Sequence, residues 1–144
     1  MAPLRRALIF IGFMGAGKTT VAHEVAAALG ERAQDADRLL EEELGESIAD
    51  VFDRVGEPAF RAREEQVTVA LLERADGGVI ALGGGALGSE RVRAALARHV
   101  AVLVDVDAET AWTRAAGRGR PLARDRDAFR ALHRERAAAY ERAA

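Results

Sequence analysis

The segment Gly-Phe-Met-Gly-Ala-Gly-Lys-Thr at residues 12–19 places the strongest constraint on this chain, because it fits the phosphate-loop pattern G-x-x-x-x-G-K-[ST]. In such a loop, successive backbone N–H groups surround phosphate oxygens, the lysine reaches the β- and γ-phosphates, and the threonine hydroxyl coordinates Mg²⁺. Lys18 is the only lysine among 21 basic residues. The chain therefore keeps a compact ammonium where the wide, planar guanidinium of arginine does not fit.

The sequence around this loop has the context that the motif requires. An apolar strand is predicted at residues 7–11, directly before the loop, and an alanine-rich helix at residues 19–29, directly after it. A glycine-rich turn that matched the pattern by chance would not need either element. The segment therefore predicts a nucleoside-triphosphate site.

Composition limits the remaining possibilities. At 144 residues we expect one domain, spanning 1–144. A net charge of −2 argues against non-specific binding of nucleic acid. The absence of cysteine excludes disulfides, thiol catalysis and cysteine-bound zinc. No apolar run approaches the ~20 residues that span a membrane. Arg5 and Arg6 precede an apolar stretch as in a signal peptide, but that stretch runs into the phosphate loop. We expect a monomeric cytoplasmic protein that binds neither nucleic acid nor membrane.

Apolar runs alternate with helical patterns along the chain. Strands are predicted at residues 79–82 and 100–106, the latter of the kind that is buried on both faces, whereas residues 32–34 are poorly apolar for a buried strand. This alternation predicts an α/β fold of three layers, a parallel sheet flanked by helices, with ligands at the carboxyl ends of the strands.

Two further loops are candidates for chemistry. In an extended segment Asp35 and Asp37 point to opposite sides, so one can serve a Mg²⁺ shell and the other a substrate hydroxyl. Two solvated turn residues, or a helix N-cap, remain the alternative. Three glycines at 83–85 permit close backbone approach to a ligand, but a flexible connector has the same composition. The three histidines have no metal-like spacing and are expected at the surface.

Three arginines have both a functional and an ordinary interpretation. Arg61 precedes Glu64 by three residues on a predicted helix, so the carboxylate can hold its guanidinium in place. Taken singly, Arg61 and Arg136 are equally typical of surface salt bridges, and Arg120 of a loop cation. The arginine- and glycine-rich stretch around Arg120 favours a mobile lid, at about residues 114–125, that closes on phosphates.

Taken together, the motifs resemble those of the shikimate kinase family. The matching segments occur in order, with matching spacing, and cover essentially the whole chain: GFMGAGKTT at 12–20, DAD at 35–37, GESIADVF at 45–52, GEPAFRARE at 56–64, GGG at 83–85, RPL at 120–122 and RAAAY at 136–140. The phosphate loop alone indicates only a broad superfamily, whereas the combination is far more specific.

The resemblance implies transfer of the ATP γ-phosphoryl group to the 3-hydroxyl of shikimate, the fifth step of the chorismate route to aromatic amino acids. It implies ATP and Mg²⁺ as cofactors, with Thr19 binding the metal directly and Asp35 through water. The nucleotide-binding residues that it implies are Gly12, Gly15, Ala16, Gly17, Lys18, Thr19, Thr20, Arg114 and Arg120, with Arg114 a candidate for stacking on adenine.

The resemblance also implies a substrate site, with a helical substrate-binding region at about residues 35–62. Asp37 holds the accepting hydroxyl as the base, and Arg61 and Arg136 clamp the substrate carboxylate. The remaining substrate-binding residues are Gly83, Gly84 and Gly85. The catalytic set is Lys18, Asp37 and Arg120, the last supplied by the lid.

One departure from the family pattern concerns the carboxyl-terminal end. The family continues with another parallel strand and a terminal helix, and the connection between them contributes to adenine binding. The expected fold therefore lacks that strand and helix, and residues 100–106 have an unpaired apolar edge. Three alternatives follow: a fragment, association through that edge, or a short form with reduced nucleotide affinity. Two functional alternatives also stay open, a catalytically silent binding or regulatory module and a related small-molecule kinase, such as one acting on gluconate.

Overall fold

The computed structural model describes residues 3–116, 123 and 125–144. Four strands lie within these ranges: β1 (Leu8–Ile11), β2 (Ala33–Asp35), β3 (Val79–Ala81) and β4 (Val100–Leu103). Seven α-helices lie within the same ranges: α1 (Lys18–Leu29), α2 (Ala36–Leu44), α3 (Ile48–Val55), α4 (Glu57–Arg74), α5 (Glu90–Leu96), α6 (Ala108–Ala115) and α7 (Arg126–Ala143). A 3-10 turn, Ala86–Gly88, follows β3.

The four strands form one parallel sheet in the order β2-β3-β1-β4. Leu8 of β1 pairs in register with Val79 of β3 on one side and with Val100 of β4 on the other. Parallel neighbours need helical crossovers, and those crossovers cover both faces of the sheet. The predicted α/β fold, a parallel sheet between helices, is confirmed.

Alternate side chains of β1 separate the two apolar layers. Ile9 and Ile11 pack into the larger core, which includes Leu71 and Leu72 of α4 and Phe129 of α7. Phe10 faces the opposite way and packs with Ala22 and Ala26 of α1. These small residues of α1 let its backbone pack close to the sheet, which fixes the position of the helix that follows the phosphate loop. A third cluster, centred on Leu40, Phe60 and Val67, joins α2, α3 and α4.

Short polar residues and glycines set the helix boundaries. The side chains of Ser47, Ser89 and Asp107 accept hydrogen bonds from amides in the first turns of α3, α5 and α6. Gly30 and Gly45 end α1 and α2 in the left-handed conformation. In the described ranges, no helix combines the length and apolar character that crossing a bilayer requires.

The prediction for residues 100–106 is wrong in two respects. The strand ends at Leu103, and none of its residues is buried: Val100 is 38% exposed and the other three are partly buried. The cause is the position of β4 at the edge of the described sheet, where only β1 pairs with it. The poorly apolar segment near residue 33 forms β2 at the opposite edge, as its composition favours.

The surface location expected for the histidines is wrong for His99, which is 4% exposed. Its Nδ1 accepts a hydrogen bond from the Ala7 N–H at 3.0 Å, and its Nε2 lies 2.7 Å from the Leu72 carbonyl oxygen. His133 is partly buried beside Phe13, and His23 is exposed as expected. The His99 ring thus ties the beginnings of β1 and β4 to the end of α4.

Replacing His99 by phenylalanine should lower the free energy of unfolding by about 2 kcal/mol. The ring shape is retained, but the buried Ala7 N–H loses its acceptor, and an unsatisfied buried donor is costly. Urea unfolding of the variant measures the loss. His23→Ala, on the exposed face of α1, is the control and should change the free energy by less than about 0.5 kcal/mol. Equal stability of both variants would contradict a structural role for His99.

Candidate active site

The strand order places a crevice between the carboxyl ends of β1 and β3. The connection after β1 leads to β2 on one side, and the connection after β3 leads to β4 on the other. Ligands of open α/β sheets bind where the chain reverses direction in this way. The phosphate-loop segment follows β1 and the glycine triplet follows β3, so both lie at this point.

The phosphate-loop segment is tightly packed against the β4–α6 region. Gly15 has a φ of 80°, and a Cβ atom there would lie 2.5 Å from the Ala111 carbonyl oxygen. At Gly12, an added Cβ would lie 2.4 Å from the Val104 carbonyl oxygen. Inside the loop, the Ala16 N–H donates to the Phe13 carbonyl. Only glycine fits the two positions, so Gly15 is required here in addition to the glycine that the motif specifies at position 12.

Helix α1 begins at Lys18 with no side-chain cap, since its N-cap residue is Gly17. The first amides of a helix have no partners within the helix, and the helix dipole adds positive potential at this end. The Lys18 ammonium lies at the same point, where it donates to the carbonyls of Gly12 at 2.6 Å and Phe13 at 3.1 Å. The loop and helix start therefore form a compact positive site for phosphate oxygens.

Asp35 and Asp37 do not share an extended segment, so that part of the prediction is wrong. Asp35 ends β2 and caps α2, its Oδ1 accepting from the amides of Asp37 and Arg38, and Asp37 lies in the first turn of the helix. The two carboxylates still have different partners. The Asp35 Oδ2 accepts from the Thr19 hydroxyl at 2.6 Å, which joins the start of α2 to the start of α1.

Asp37 lies against the first glycine of the triplet. A Cβ at Gly83 would lie 2.5 Å from Asp37 Oδ1 and 3.0 Å from Glu64 Oε2. Any larger residue at this position would displace Asp37. Because Gly83 has no side chain, the carboxylates of Asp37 and Glu64 fit beside it. A merely flexible connector would not need this close contact.

Arg61 is held by carboxylates on its own helix. Its Nη1 donates to Glu64 at 2.8 Å and its Nη2 to Glu57 at 3.2 Å, so the predicted Glu64 contact is confirmed. Burial lowers the pKa of Arg61, but the two carboxylates outweigh burial and the pKa is raised. A Cβ at Gly85 would lie 2.4 Å from Arg61 Nη1, so the third glycine of the triplet gives room to the guanidinium.

Arg136 projects from α7 towards the same triplet. Its Nη1 lies 3.6 Å from the position of a Cβ at Gly84, and its guanidinium carbon lies 5.9 Å from the centre of the Phe13 ring. Burial lowers the pKa of Arg136, and the positive charge of Arg61 adds to this effect. No ion pair joins Arg136 to a carboxylate within the described ranges. Arg61 is paired with two carboxylates, whereas Arg136 is paired with none in the described part of the chain, so the Arg136 guanidinium can bind an anion beside Arg61.

Arg114 and Arg120 were both predicted to bind the nucleotide, and only Arg114 lies within the described residues. Arg114 of α6 donates from its Nη1 to the carbonyls of Gly15 at 3.1 Å and Ala16 at 3.3 Å, so it supports the phosphate loop. Arg120, together with most of the predicted lid, lies outside the described residues. The role of Arg120 therefore stays a prediction.

The phosphate loop and the arginine pair open into one cavity of about 1230 Å³. Lys18 and Thr19 lie on its wall, with Thr20, Asp35 and Asp37 nearby. Its far wall includes Arg61, Gly84, Gly85 and Arg136. A phosphate site and a separate site for a small anion thus share one open cavity, as a phosphoryl-transfer enzyme for an acidic acceptor requires.

Sequence reasoning missed two residues of this site. Glu57 holds Arg61 from four positions earlier, and that helical spacing was visible in the sequence. Tyr140 is buried, and its hydroxyl donates to the Gly84 carbonyl from 56 residues away. Its place in the RAAAY segment, four residues after Arg136, was the one available signal.

The fold and the shared cavity define a P-loop kinase that acts on a small molecule. Comparison with known proteins narrows this class, because the family model for shikimate kinase matches residues 14–144. The chain belongs to the shikimate kinase family, whose members use ATP, and the family resemblance inferred from the motifs is confirmed.

Individual relatives agree with this assignment. The chain is 42% identical over 140 residues to a shikimate kinase of Mycobacterium bovis, covering 94% of this chain and 79% of the relative. It is 44% identical over 109 residues to the shikimate kinase of Mycobacterium leprae, covering 76% of this chain and 54% of that relative. The structure of the Acinetobacter baumannii shikimate kinase in complex with shikimate superposes with a TM-score of 0.91 at 32% identity, covering 97% of this chain and 80% of that one.

Proposed function

We propose that this protein transfers the γ-phosphoryl group of ATP to the 3-hydroxyl of shikimate. The observation that carries the proposal is the single cavity in which the phosphate loop faces the Arg61–Arg136 pair. Shikimate is a small polyhydroxylated acid, so its site needs cations for the carboxylate and acceptors for the hydroxyls. Asp37, beside the pair, supplies an acceptor.

The residues present fit a magnesium nucleotide. The uncapped start of α1 and the Lys18 ammonium suit phosphate oxygens, and the Thr19 hydroxyl and Asp35 carboxylate are the hard oxygen donors that Mg²⁺ prefers. When bound, the magnesium nucleotide supplies the phosphoryl group and neutralises part of its charge. We assign direct metal contact to Thr19 and water-mediated contact to Asp35.

Asp37 has the acceptor role in this proposal. Its carboxylate orients the substrate hydroxyl and takes its proton as the hydroxyl oxygen bonds to the γ-phosphorus, while the bond from that phosphorus to the bridging oxygen breaks and ADP leaves. Arg61 and Arg136 hold the carboxylate of the acid, and the amides of the triplet line the pocket. Arg120 closes over the phosphates, and Arg114, besides supporting the loop, is the candidate neighbour of adenine.

Arg61→Ala should raise the KM for shikimate between about tenfold and a hundredfold and change kcat little. A guanidinium–carboxylate contact is among the stronger hydrogen-bonded pairs, and it is present in both the ground state and the transition state. Steady-state kinetics with varied shikimate measures the change. Arg63→Ala is the matched control, because Arg63 lies on the same helix and contacts Gln66 at the surface. Near-normal shikimate affinity in the Arg61 variant would rule out the carboxylate role.

The test of the proposed function is a coupled ADP-release assay with MgATP, with and without shikimate. Shikimate-dependent turnover supports the proposal. ADP release that is equal without the acid indicates a simple ATPase. Binding of shikimate by calorimetry without any turnover indicates the catalytically silent module. A matched acid without hydroxyl groups, cyclohexanecarboxylate, is the control for the acceptor and should give no turnover.

The setting of the protein is part of the same proposal. We propose a cytoplasmic enzyme that acts as a monomer, in which the reacting groups all come from one chain. The single-domain organisation, with a substrate-binding region at about residues 35–62 and a lid at about 114–125, also remains a proposal. Sedimentation at several protein concentrations tests the monomer, since association through the β4 edge would appear as a concentration-dependent increase in mass.

A further inference from the structure

The three carbonyls of the glycine triplet are held in two different ways. The Gly83 carbonyl accepts from the Ala86 amide at 3.2 Å, and the Gly85 carbonyl accepts from the Gly88 amide at 3.1 Å. The Gly84 carbonyl accepts from the hydroxyl of Tyr140 on α7. The conformation at the middle of the triplet therefore depends on a side chain, whereas its two neighbours are fixed by local turns.

The Tyr140 side chain also lies beside Arg136. The two residues are four apart on α7, so their side chains lie on one face, and the buried phenol and guanidinium interact electrostatically. A guanidinium only donates, and a tyrosine hydroxyl that donates to the Gly84 carbonyl can still accept. Tyr140 therefore holds the Gly84 backbone and lies next to the Arg136 side chain.

Tyr140 lies behind the substrate cavity. It lines a second cavity, of about 650 Å³, whose wall includes Glu135 and Ala139 of α7. The two cavities meet at Arg61, Gly84, Gly85 and Arg136, which line both of them. Tyr140 thus reaches the wall between the cavities from the side away from the phosphate loop.

We infer that Tyr140 is a positioning residue, which fixes the Gly84–Gly85 peptide and the Arg136 guanidinium in the geometry that binds the acid. This inference rests on the proposed function. The C=O and N–H of a trans peptide point in opposite directions, so holding the Gly84 carbonyl also sets the direction of the Gly85 N–H. Burial raises the pKa of the Tyr140 phenol, so the hydroxyl remains a donor at neutral pH.

Tyr140→Phe should raise the KM and the calorimetric Kd for shikimate about tenfold, while kcat stays within about threefold of the wild type. The variant keeps the ring, so no cavity forms, but the Gly84 carbonyl loses its donor and the Arg136 guanidinium loses the oxygen beside it. The affected contacts hold the acid in both ground and transition states, and the KM for ATP should therefore not change.

Val92→Ala, at a fully buried position of α5, is the matched control for lost stability. It should lower the melting temperature and leave the Kd for shikimate unchanged. An unchanged Kd in Tyr140→Phe, or a fall in kcat at constant KM together with a lower melting temperature, would overturn the positioning role. Failure of the wild type to bind shikimate is a distinct result, which would remove the proposed function and this inference with it.

Discussion

Lys18→Ala should lower kcat at least about a hundredfold while the Kd for shikimate stays within about threefold of the wild type. Phosphoryl transfer depends almost entirely on positioning and charge stabilisation, and loss of one preorganised donor typically costs a factor of this size. The acid site is separate, because Arg61 and Arg136 are held by residues of α4 and α7. The coupled assay gives kcat, and calorimetry without nucleotide gives the Kd.

Lys18→Arg separates charge from shape and serves as the matched variant. The ammonium fits between the carbonyls of Gly12 and Phe13, at 2.6 and 3.1 Å, and a planar guanidinium does not have that compact form. We expect Lys18→Arg to be nearly as inactive as Lys18→Ala. Melting temperatures of both variants control for folding. A kcat within tenfold of the wild type in the alanine variant would show that the loop does not bind the reacting phosphate as proposed.

The phosphate-loop part of the site was predictable because its determinants are local. A strand, a glycine loop and a helix start occupy consecutive residues, and Gly12 and Gly15 meet close contacts that no other residue fits. Caps at Ser47, Ser89 and Asp107 were likewise readable, since a short polar side chain bonds to an amide three residues later. Local hydrogen bonds require particular residue types at fixed spacing, so they can be predicted from the sequence.

Two of the errors, at residues 100–106 and at His99, arose where distant parts of the chain meet. An apolar run such as residues 100–106 predicts a strand buried on both faces, but the burial of its side chains depends on the elements packed against it, and those of β4 are at most partly buried. His99 was expected at the surface, but in the fold it is buried against Ala7 and Leu72, which are distant in sequence. The Tyr140–Gly84 bond joins residues 56 positions apart. The hydrophobic periodicity of a sequence does not indicate contacts between residues so far apart.

Asp37→Asn should lower kcat between about a hundredfold and ten thousandfold, the usual contribution of a positioned general base. Asparagine has the same shape, and it fits beside Gly83, where a Cβ would lie 2.5 Å from the Asp37 oxygen. However, an amide cannot accept the proton of the attacking hydroxyl. Because the carboxylate clamp is intact in this variant, the KM for shikimate should rise much less than kcat falls.

Asp50→Asn is the matched control for this experiment. Asp50 is also an acidic residue in the first turn of a short helix, so the substitution removes the same favourable charge near a helix N-terminus, but Asp50 does not line the cavity. The two variants should therefore lose similar stability, as measured by urea unfolding, and only Asp37→Asn should lose turnover. If kcat fell equally in both, the loss would come from the helix termini, and the proton acceptor would have to be sought elsewhere. Glu64 would then be the next group to replace, since its carboxylate lies against the same glycine as Asp37.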